Sequence, residues 1–411
     1  MKWQLNSAYW SSAITFFAFF LTWSFCYSLF PLWLNQTLGL TGKETGLVFA
    51  TNALAALIIM PAYGVLQDRL GTGKQLLFVL GVLMAAVGPF FIYVYQPLLE
   101  SYFLFGALVG AVYSASTFGA AVGTLEAFIE RLGRHHEVEF GKVRLWGSLG
   151  WATATFVAGG LFNLNPDLNF MLASLTGIAF ILCLFWLPDS TVRSASATYN
   201  KVRLSEVFAL FLQAKLWRLS AYVMGVSCLY QIYDQQFPIY FSSLFSTVAE
   251  GNRFYGYLNS LQVFIEAAMM FIAPYIVNRI GAKQGLLLSG AIMALRMLAS
   301  GVVDDPVSIS MVKLLHALEL PLLLVAIFKY IVVNFDSRLS ATIYLIGFHV
   351  FTQMVTTLLS PLVGELYDEL GFANAYLVLG GVVTINLLLS AWLLEGRTGR
   401  HSAEMAKMTG G

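Results

Sequence analysis

The sequence predicts an all-α integral membrane protein with twelve transmembrane helices in two pseudo-symmetric six-helix halves. Of its 411 residues, 58% are apolar and only 11% are charged, whereas a soluble domain carries roughly 25% charged residues. The apolar residues form runs of about 20, the length that a helix needs to cross a bilayer core of ~30 Å. The runs lack the alternation of barrel strands and are about twice as long as such strands, which excludes a β-barrel.

Twelve apolar windows follow one another along the chain. They lie at roughly 8–34, 46–67, 76–98, 103–126, 144–163, 169–187, 219–246, 254–277, 284–303, 307–328, 340–363 and 374–394. The first window is too long for a signal-peptide core and no suitable cleavage site follows it, so we interpret it as a retained span.

Basic residues are distributed unevenly over the connecting segments. With a cytoplasmic N-terminus, 18 of the 23 Lys and Arg residues fall on the inside, and only Lys43 and Arg253 fall outside. The remaining three, Arg144, Arg296 and Lys313, lie within spans. By the positive-inside rule, both termini are expected in the cytoplasm.

The longest polar segment, 188–218, divides the spans six and six and is expected to be a cytoplasmic loop between bundles at 1–187 and 219–398. A disordered tail is expected at 399–411, because it has no apolar periodicity. The halves also resemble each other, since Asp68-Arg-Leu-Gly71 is answered by Asn278-Arg-Ile-Gly281. Two repeated bundles with a cavity between them are the architecture of a secondary transporter.

The loop after the second window carries a motif of glycines and charges. Gly64-x-x-x-Asp68-Arg69-x-Gly71-x-x-Lys74 resembles the signature of the major facilitator superfamily. In this interpretation Gly64 lets two helices approach, Gly71 makes the turn, and Asp68 bonds helix ends and basic groups. The predicted role of Gly64, Asp68, Arg69 and Gly71 is conformational gating.

The first half contains an acid, an arginine and a tryptophan near one another. Glu126 ends the fourth window, Arg144 begins the fifth, and Trp151 follows two helical turns later on the same face. The segment 127–143 between the charges is expected to be a loop. A guanidinium and a carboxylate suit sugar hydroxyls, and an indole suits the apolar face of a pyranose. The alternative is a simple ion pair at the helix ends.

Four consecutive windows of the second half contain ionisable residues, which must face a common interior because isolated burial in a membrane is costly. They are Asp234, Glu266, Arg296, Lys313, His316 and Glu319. Asp234 and Lys313 form a predicted structural charge pair. Arg296 beside His316 and Glu319 is a predicted proton switch, because a nearby guanidinium releases a proton from a carboxyl group. The alternative is that these residues only hold helices together.

Motifs along nearly the whole chain resemble those of the lactose permease group of oligosaccharide–proton symporters. They are Pro31-Leu-Trp33-Leu, Leu125-Glu-Ala-Phe-Ile-Glu130, Phe140-Gly-Lys-Val-Arg144, Gly150-Trp151, Tyr230-x-x-x-Asp234-Gln-Gln, Asn278-Arg-Ile-Gly281, Lys313-x-x-His316-x-x-Glu319-x-Pro321 and Ser340-Ala-Thr-Ile-Tyr344-Leu. The resemblance implies that Glu126, Arg144 and Trp151 bind sugar and that His316 joins sugar binding to coupling. It further implies that Glu319 carries the proton and that Arg296 assists its release.

Departures from the lactose-transporting pattern bear on the substrate. The family's acid–lysine pair is replaced by Gln231 and Thr352, so both buried charges are lost together. An essential acid of the family, expected at Val263, is replaced by Glu266, three residues later. With Trp23 in the first window, these changes resemble the sucrose-transporting members.

Further polar residues are candidates for sugar binding. Gln231, Asn259, Gln262 and His349 are expected to supply hydrogen bonds to a sugar, and a helix-packing role is the open alternative for each.

The sequence therefore predicts a proton-coupled importer of a disaccharide, with sucrose favoured over lactose, melibiose or raffinose. A drug exporter of the same fold is a weaker alternative, because such proteins favour apolar pockets with few charges. No metal-ligand or nucleophile–base motif indicates an enzyme, and no basic tract indicates nucleic-acid binding. We expect no cofactor other than the coupling proton, and a functional monomer in the bacterial inner membrane.

Overall fold

The computed structural model describes residues 7–70, 73–136, 138–188, 210–336 and 339–395. These residues are almost entirely helical and contain no strand, as predicted. Most of the predicted central loop, the predicted tail at 399–411 and Gly71 lie outside the described residues.

The described residues form twelve helical segments, which we number α1 to α12. Five are continuous: α2 Gly42–Leu70, α5 Phe140–Leu164, α6 Asp167–Trp186, α8 Val248–Ile280 and α9 Ala282–Ser300. Five contain a break or a π-turn: α1 (Ser7–Tyr27, Phe30–Leu32, Trp33–Thr37), α3 (Gln75–Ala85, Val87–Ser101), α4 (Phe103–Ser114, Ala115–Gly119, Ala121–His136), α7 (Ala214–Tyr222, Val223–Ser227, Cys228–Ser243) and α10 (Pro306–Leu314, His316–Asn334).

The last two segments run into each other. Helix α11 comprises Ser340–Tyr344, Leu345–Val350 and the start of Phe351–Leu393, which continues as α12 after Gly371. Gly371 has a φ of 73°, a left-handed conformation that suits glycine and ends α11. By length and composition, seven described helices can cross a membrane, or eight if α3, bent by 51°, counts as one span.

Helix α4 corrects one prediction. Its last part, Ala121–His136, is helical through most of the predicted loop 127–143. The residues buried on it recur at the spacing of one helix face, namely Leu125, Phe128, Ile129 and Leu132. This apolar stripe stabilises the helix although the opposite face is polar.

Helix α10 contains a local turn at Leu315. This turn lies between Lys313 and His316, which with Glu319 are spaced three residues apart and are predicted to lie on roughly one face of a helix. At the turn, the N–H of Leu315 donates to the carbonyl oxygen of Val312 at 3.2 Å. This bond spans three residues, so the turn is tighter than that of an α-helix. All three ionisable side chains are nevertheless buried.

The described helices pack as two compact units. The first comprises the described residues of 1–197, 234–264 and 356–371, and the second comprises the described residues of 198–233, 265–355 and 372–411. The first unit thus combines the first half of the sequence with two segments of the second half. The predicted division into bundles at 1–187 and 219–398 stays a prediction.

Glycines allow close helix contacts within the first unit. A Cβ atom on Gly46 of α2 would lie 2.2 Å from the carbonyl oxygen of Ser360 in α11. One on Gly256 of α8 would lie 2.5 Å from the carbonyl oxygen of Thr155 in α5. Small residues that let backbones approach are typical of helix packing in membranes.

Polar bonds accompany these contacts. Asp368 of α11 accepts hydrogen bonds from the N–H groups of Gly42 and Lys43 at 2.7 and 2.8 Å, which caps α2. Gln36 of α1 and Asn252 of α8 exchange a pair of amide hydrogen bonds at 3.0 and 2.9 Å. The bonds satisfy backbone and side-chain groups where the helices of this unit meet.

The predicted gating motif is only partly as expected. Gly64 does not mark a close helix contact, because no described atom lies within 4 Å of the position that its Cβ would take. Arg69 is exposed, and the side chain of Asp68 is outside the described set. The last residue of the motif, Lys74, does contact another helix, because its ammonium group donates to the carbonyl oxygens of Leu184 and Leu187 at the end of α6.

In the second unit, α10 begins at a well-formed cap. Asp305 accepts hydrogen bonds from the N–H groups of Val307 and Ser308 at 3.1 and 2.9 Å, and Pro306 occupies the first helical position. Hydrogen bonds from the hydroxyl and N–H of Ser308 hold the pKa of the Asp305 carboxyl below its usual value.

The glycine contacts predict a position-specific loss of stability. A Cβ on Gly159 of α5 would lie 2.3 Å from the carbonyl oxygen of Asn252, whereas one on the neighbouring Gly160 would meet nothing within 4 Å. Gly159→Ala is therefore expected to destabilise the detergent-solubilised protein by about 1–3 kcal/mol through overpacking. Gly160→Ala is the control. Equal apparent Tm values for the two variants in a thermal unfolding assay would contradict this packing.

Candidate functional site

A partly exposed ion pair lies in the first unit. The Nε of Arg144 donates to Oε1 of Glu126 at 2.8 Å, and the two side chains are 33% and 36% exposed. The guanidinium carbon lies 4.3 Å from the centre of the Phe20 ring, within range of a cation–π interaction. The ring and the carboxylate orient the guanidinium while part of it stays accessible to a ligand.

A glycine one turn after Arg144 creates the room for this arrangement. A Cβ on Gly147 would lie 2.7 Å from the Phe20 ring and 3.0 Å from an Nη atom of Arg144. Phe20 and Gly147 were not predicted as site residues, because Phe20 stands far from Arg144 in the sequence. The only feature of the sequence that points to this arrangement is Gly147 itself, which follows Arg144 by three residues on the same helix face.

Two indole rings meet at nearly a right angle in the same unit. The ring centres of Trp23 and Trp151 are 5.6 Å apart and the ring planes meet at 79°. The rings of Trp23 and Phe118 are nearly parallel, with their centres 5.9 Å apart. The hydroxyl of Ser24 donates to the carbonyl oxygen of Trp151 at 2.9 Å, which joins α1 to α5. Both indoles are half-buried, so they provide flat apolar surfaces of the kind that pack against sugar rings.

A buried cluster lies in the second unit, where Arg296 of α9 meets the start of the second part of α10. The Nη1 atom of Arg296 donates a hydrogen bond to Oε2 of Glu319 at 2.7 Å and contacts Nδ1 of His316 at 2.9 Å. A guanidinium can only donate hydrogen bonds, so Nδ1 of His316 must accept. This geometry requires a neutral His316 with its proton on Nε2.

The side chains of this cluster are buried. Arg296 is 0% exposed and Glu319 only 1%. The hydroxyl of Ser289 on α9 donates to the backbone carbonyl oxygen of Glu319 at 3.1 Å, and this bond joins α9 to α10. A charge in such a place must be paired, so any change in the protonation of Glu319 alters what holds Arg296.

The remaining predicted sugar-binding residues have varied surroundings. Asn259 donates to Oγ1 of Thr155 at 3.2 Å, a contact that joins α8 to α5. Gln262 is 4% exposed, and its Oε1 has no hydrogen-bond partner among the described atoms. Gln231 and Glu266 are half-buried. Asn259 therefore joins two helices, whereas the Oε1 atom of Gln262 remains as a hydrogen-bond acceptor without a partner among the described atoms.

The predicted pair of Asp234 and Lys313 stays a prediction. Asp234 belongs to the first unit and is half-buried, whereas Lys313 belongs to the second unit and is buried. The common cavity predicted for the ionisable residues of both units also stays a prediction.

The described helices bury an Arg–His–Glu cluster in the second unit and leave an Arg–Glu pair partly exposed in the first, and several of them are long and apolar enough to cross a membrane. Solved structures share the fold of this chain. The chain superposes on the nucleoside transporter NupG with a TM-score of 0.81 and 14% identity, covering 96% of this chain and 100% of that one. It superposes on a D-xylose-proton symporter with a TM-score of 0.68 and 12% identity, covering 95% and 98%. The fold is that of the major facilitator superfamily.

The chain belongs to the LacY proton/sugar symporter family, whose model matches residues 1–406. It is 40% identical to the sucrose permease of Escherichia coli over 95% of this chain and 94% of that protein. It is 40% identical to the raffinose permease of Escherichia coli over 96% and 94%. It is 39% identical to the lactose permease of Citrobacter freundii over 90% of both chains. The predicted family is confirmed.

The buried pair predicts a non-additive effect of mutations. Arg296→Met leaves the Glu319 carboxylate without this guanidinium, and breaking a buried pair costs about 3–5 kcal/mol. Adding Glu319→Gln removes the remaining carboxylate and is expected to restore part of the lost stability. The measurement is the apparent Tm in detergent, with Arg279→Met at an exposed position of α8 as control. A double variant less stable than Arg296→Met would contradict the pairing.

Proposed function

We propose that the protein imports a disaccharide, most favourably sucrose, together with a proton by alternating access. The single observation that carries the proposal is the fully buried Arg296, which donates to both Glu319 and His316. When the Glu319 carboxyl gains or loses a proton, the net charge of this buried site changes by one. Family membership supplies the sugar and proton as the transported pair.

Sugar recognition is assigned to the first unit. The accessible donors of Arg144 and the free acceptor positions of Glu126 suit neighbouring hydroxyls of one sugar ring. The half-buried indole of Trp151 suits the apolar face of that ring, and Trp23 provides a second aromatic surface at nearly 90° to it. His316 joins sugar binding to proton coupling in this proposal.

Proton coupling is assigned to the Arg296 cluster. When Glu319 takes up a proton, the charge that holds Arg296 is lost. When the guanidinium contacts the carboxyl again, the charged form of Glu319 is favoured and the proton leaves. An inward proton gains about 2.3 kcal/mol per 100 mV of membrane potential, which drives a neutral sugar against its gradient.

Local residues, rather than overall similarity, support sucrose as the substrate. Identity to the sucrose and raffinose permeases is 40% in both cases and does not discriminate between them. Trp23, the uncharged residues Gln231 and Thr352, and the shifted acid Glu266 are the features that favour sucrose. The alternative is a proton symporter for lactose, melibiose or raffinose.

We further propose that the protein acts as a monomer in the bacterial inner membrane, with both termini in the cytoplasm. The distribution of basic residues supports this orientation. The family consists of transporters, so we propose no enzymatic activity and no cofactor besides the coupling proton.

Replacing the proton carrier separates coupling from sugar movement. Glu319→Gln cannot release a proton, so uphill accumulation of labelled sugar should be abolished while exchange across the membrane persists. The measurement compares accumulation with sugar counterflow in membrane vesicles. Full accumulation by Glu319→Gln would refute the assignment of Glu319.

A panel of sugars tests the substrate. Labelled sucrose, raffinose, melibiose and lactose are offered to cells that express the protein, with a protonophore as control. Sucrose is expected to accumulate in a protonophore-sensitive manner and to resist competition by the galactosides. Preferential accumulation of a galactoside would establish the alternative.

A further inference from the structure

A tyrosine ring lies against the guanidinium of Arg296. Tyr233 of α7 is fully buried, and the centre of its ring is 5.0 Å from the guanidinium carbon of Arg296. Its hydroxyl forms a hydrogen bond of 2.7 Å with Oγ of Ser300, one turn after Arg296 on α9. The ring also contacts Tyr376 of α12, with ring centres 4.7 Å apart. The ring is thus held against the guanidinium by both neighbours.

The π face of Tyr233 attracts a cation without carrying a charge of its own. Such contacts are strongest where the cation has lost its water, as Arg296 has. A carboxylate partner neutralises part of the guanidinium charge, so the ring matters most when that partner is protonated. Tyr233 therefore provides an attraction to Arg296 that persists through both protonation states of Glu319.

We propose that Tyr233 is a positioning residue that keeps Arg296 within reach of Glu319 while Glu319 carries the proton. This inference rests on the proposed role of Glu319 as proton carrier. The ring is the essential part, and the hydroxyl bond to Ser300 sets its orientation. Without the ring, Arg296 would drift from Glu319 in the loaded state, and proton release would be slow.

The experiment separates net transport from exchange. Tyr233→Leu removes the π face and is expected to reduce uphill accumulation of labelled sugar about tenfold or more. Sugar counterflow, which needs no proton release, should stay close to that of the unmodified protein. Tyr233→Phe keeps the ring and should restore most of the accumulation, whereas a merely structural defect would lower both activities together.

A matched control removes another buried tyrosine of the same unit. Tyr330 of α10 is 2% exposed and accepts a hydrogen bond from the N–H of Glu395 at 3.1 Å. Eleven residues along the helix separate it from Glu319, a rise of about 16 Å. Tyr330→Leu should therefore leave the ratio of accumulation to counterflow unchanged, at matched amounts of inserted protein.

The outcomes distinguish this inference from the proposed function. Loss of accumulation in Glu319→Gln with normal accumulation in Tyr233→Leu overturns the role of Tyr233 alone. Normal accumulation in both variants overturns the proposed coupling as well. If Tyr233→Leu inserts too poorly to assay, Tyr233→Met provides a longer, more flexible apolar side chain without a π face. Equal accumulation by Tyr233→Met and Tyr233→Phe then overturns the inference.

Discussion

The burial of the Arg296 guanidinium constrains the second unit. Arg296 is fully removed from solvent, and an isolated ion in such surroundings would cost several kcal/mol. Glu319 supplies the counter-charge, His316 supplies an acceptor, and Tyr233 supplies a π face. These contacts join α7, α9 and α10 around one guanidinium. The packing of the three helices and the proposed proton chemistry therefore depend on the same side chain.

Arg144 and Arg296, the two arginines that lie within the predicted spans, show how the surroundings of similar side chains suit them to different roles. Arg144 also has a carboxylate partner and an aromatic ring, but about a third of its side chain is exposed. Water or a ligand can therefore compete for its donors, which suits sugar hydroxyls. Arg296 is removed from solvent, so its contacts are with neighbouring protein groups.

The first unit is held together by close backbone approach and by polar bonds at helix ends. Gly46, Gly159 and Gly256 occupy places where a single Cβ would overlap a neighbouring carbonyl. In a membrane, apolar side chains gain little by leaving lipid for protein, so van der Waals contact and hydrogen bonds carry more of the packing energy. The cap on α2 provided by Asp368 is one such bond.

The sequence by itself determined the helical class, the family, and the residues of two ion pairs, Glu126–Arg144 and Arg296–Glu319. Apolar runs of span length and buried ionisable residues leave few alternatives, because lipid cannot hydrate backbone or charge. It misassigned 127–143 as a loop and Gly64 as a helix contact, because burial on one face and the approach of a distant helix depend on three-dimensional neighbours. Only the tertiary structure decided that Phe20 and Tyr233 contact the two guanidinium groups. Those partners are distant in sequence, and any apolar helix offers many aromatic rings that are indistinguishable until the helices pack.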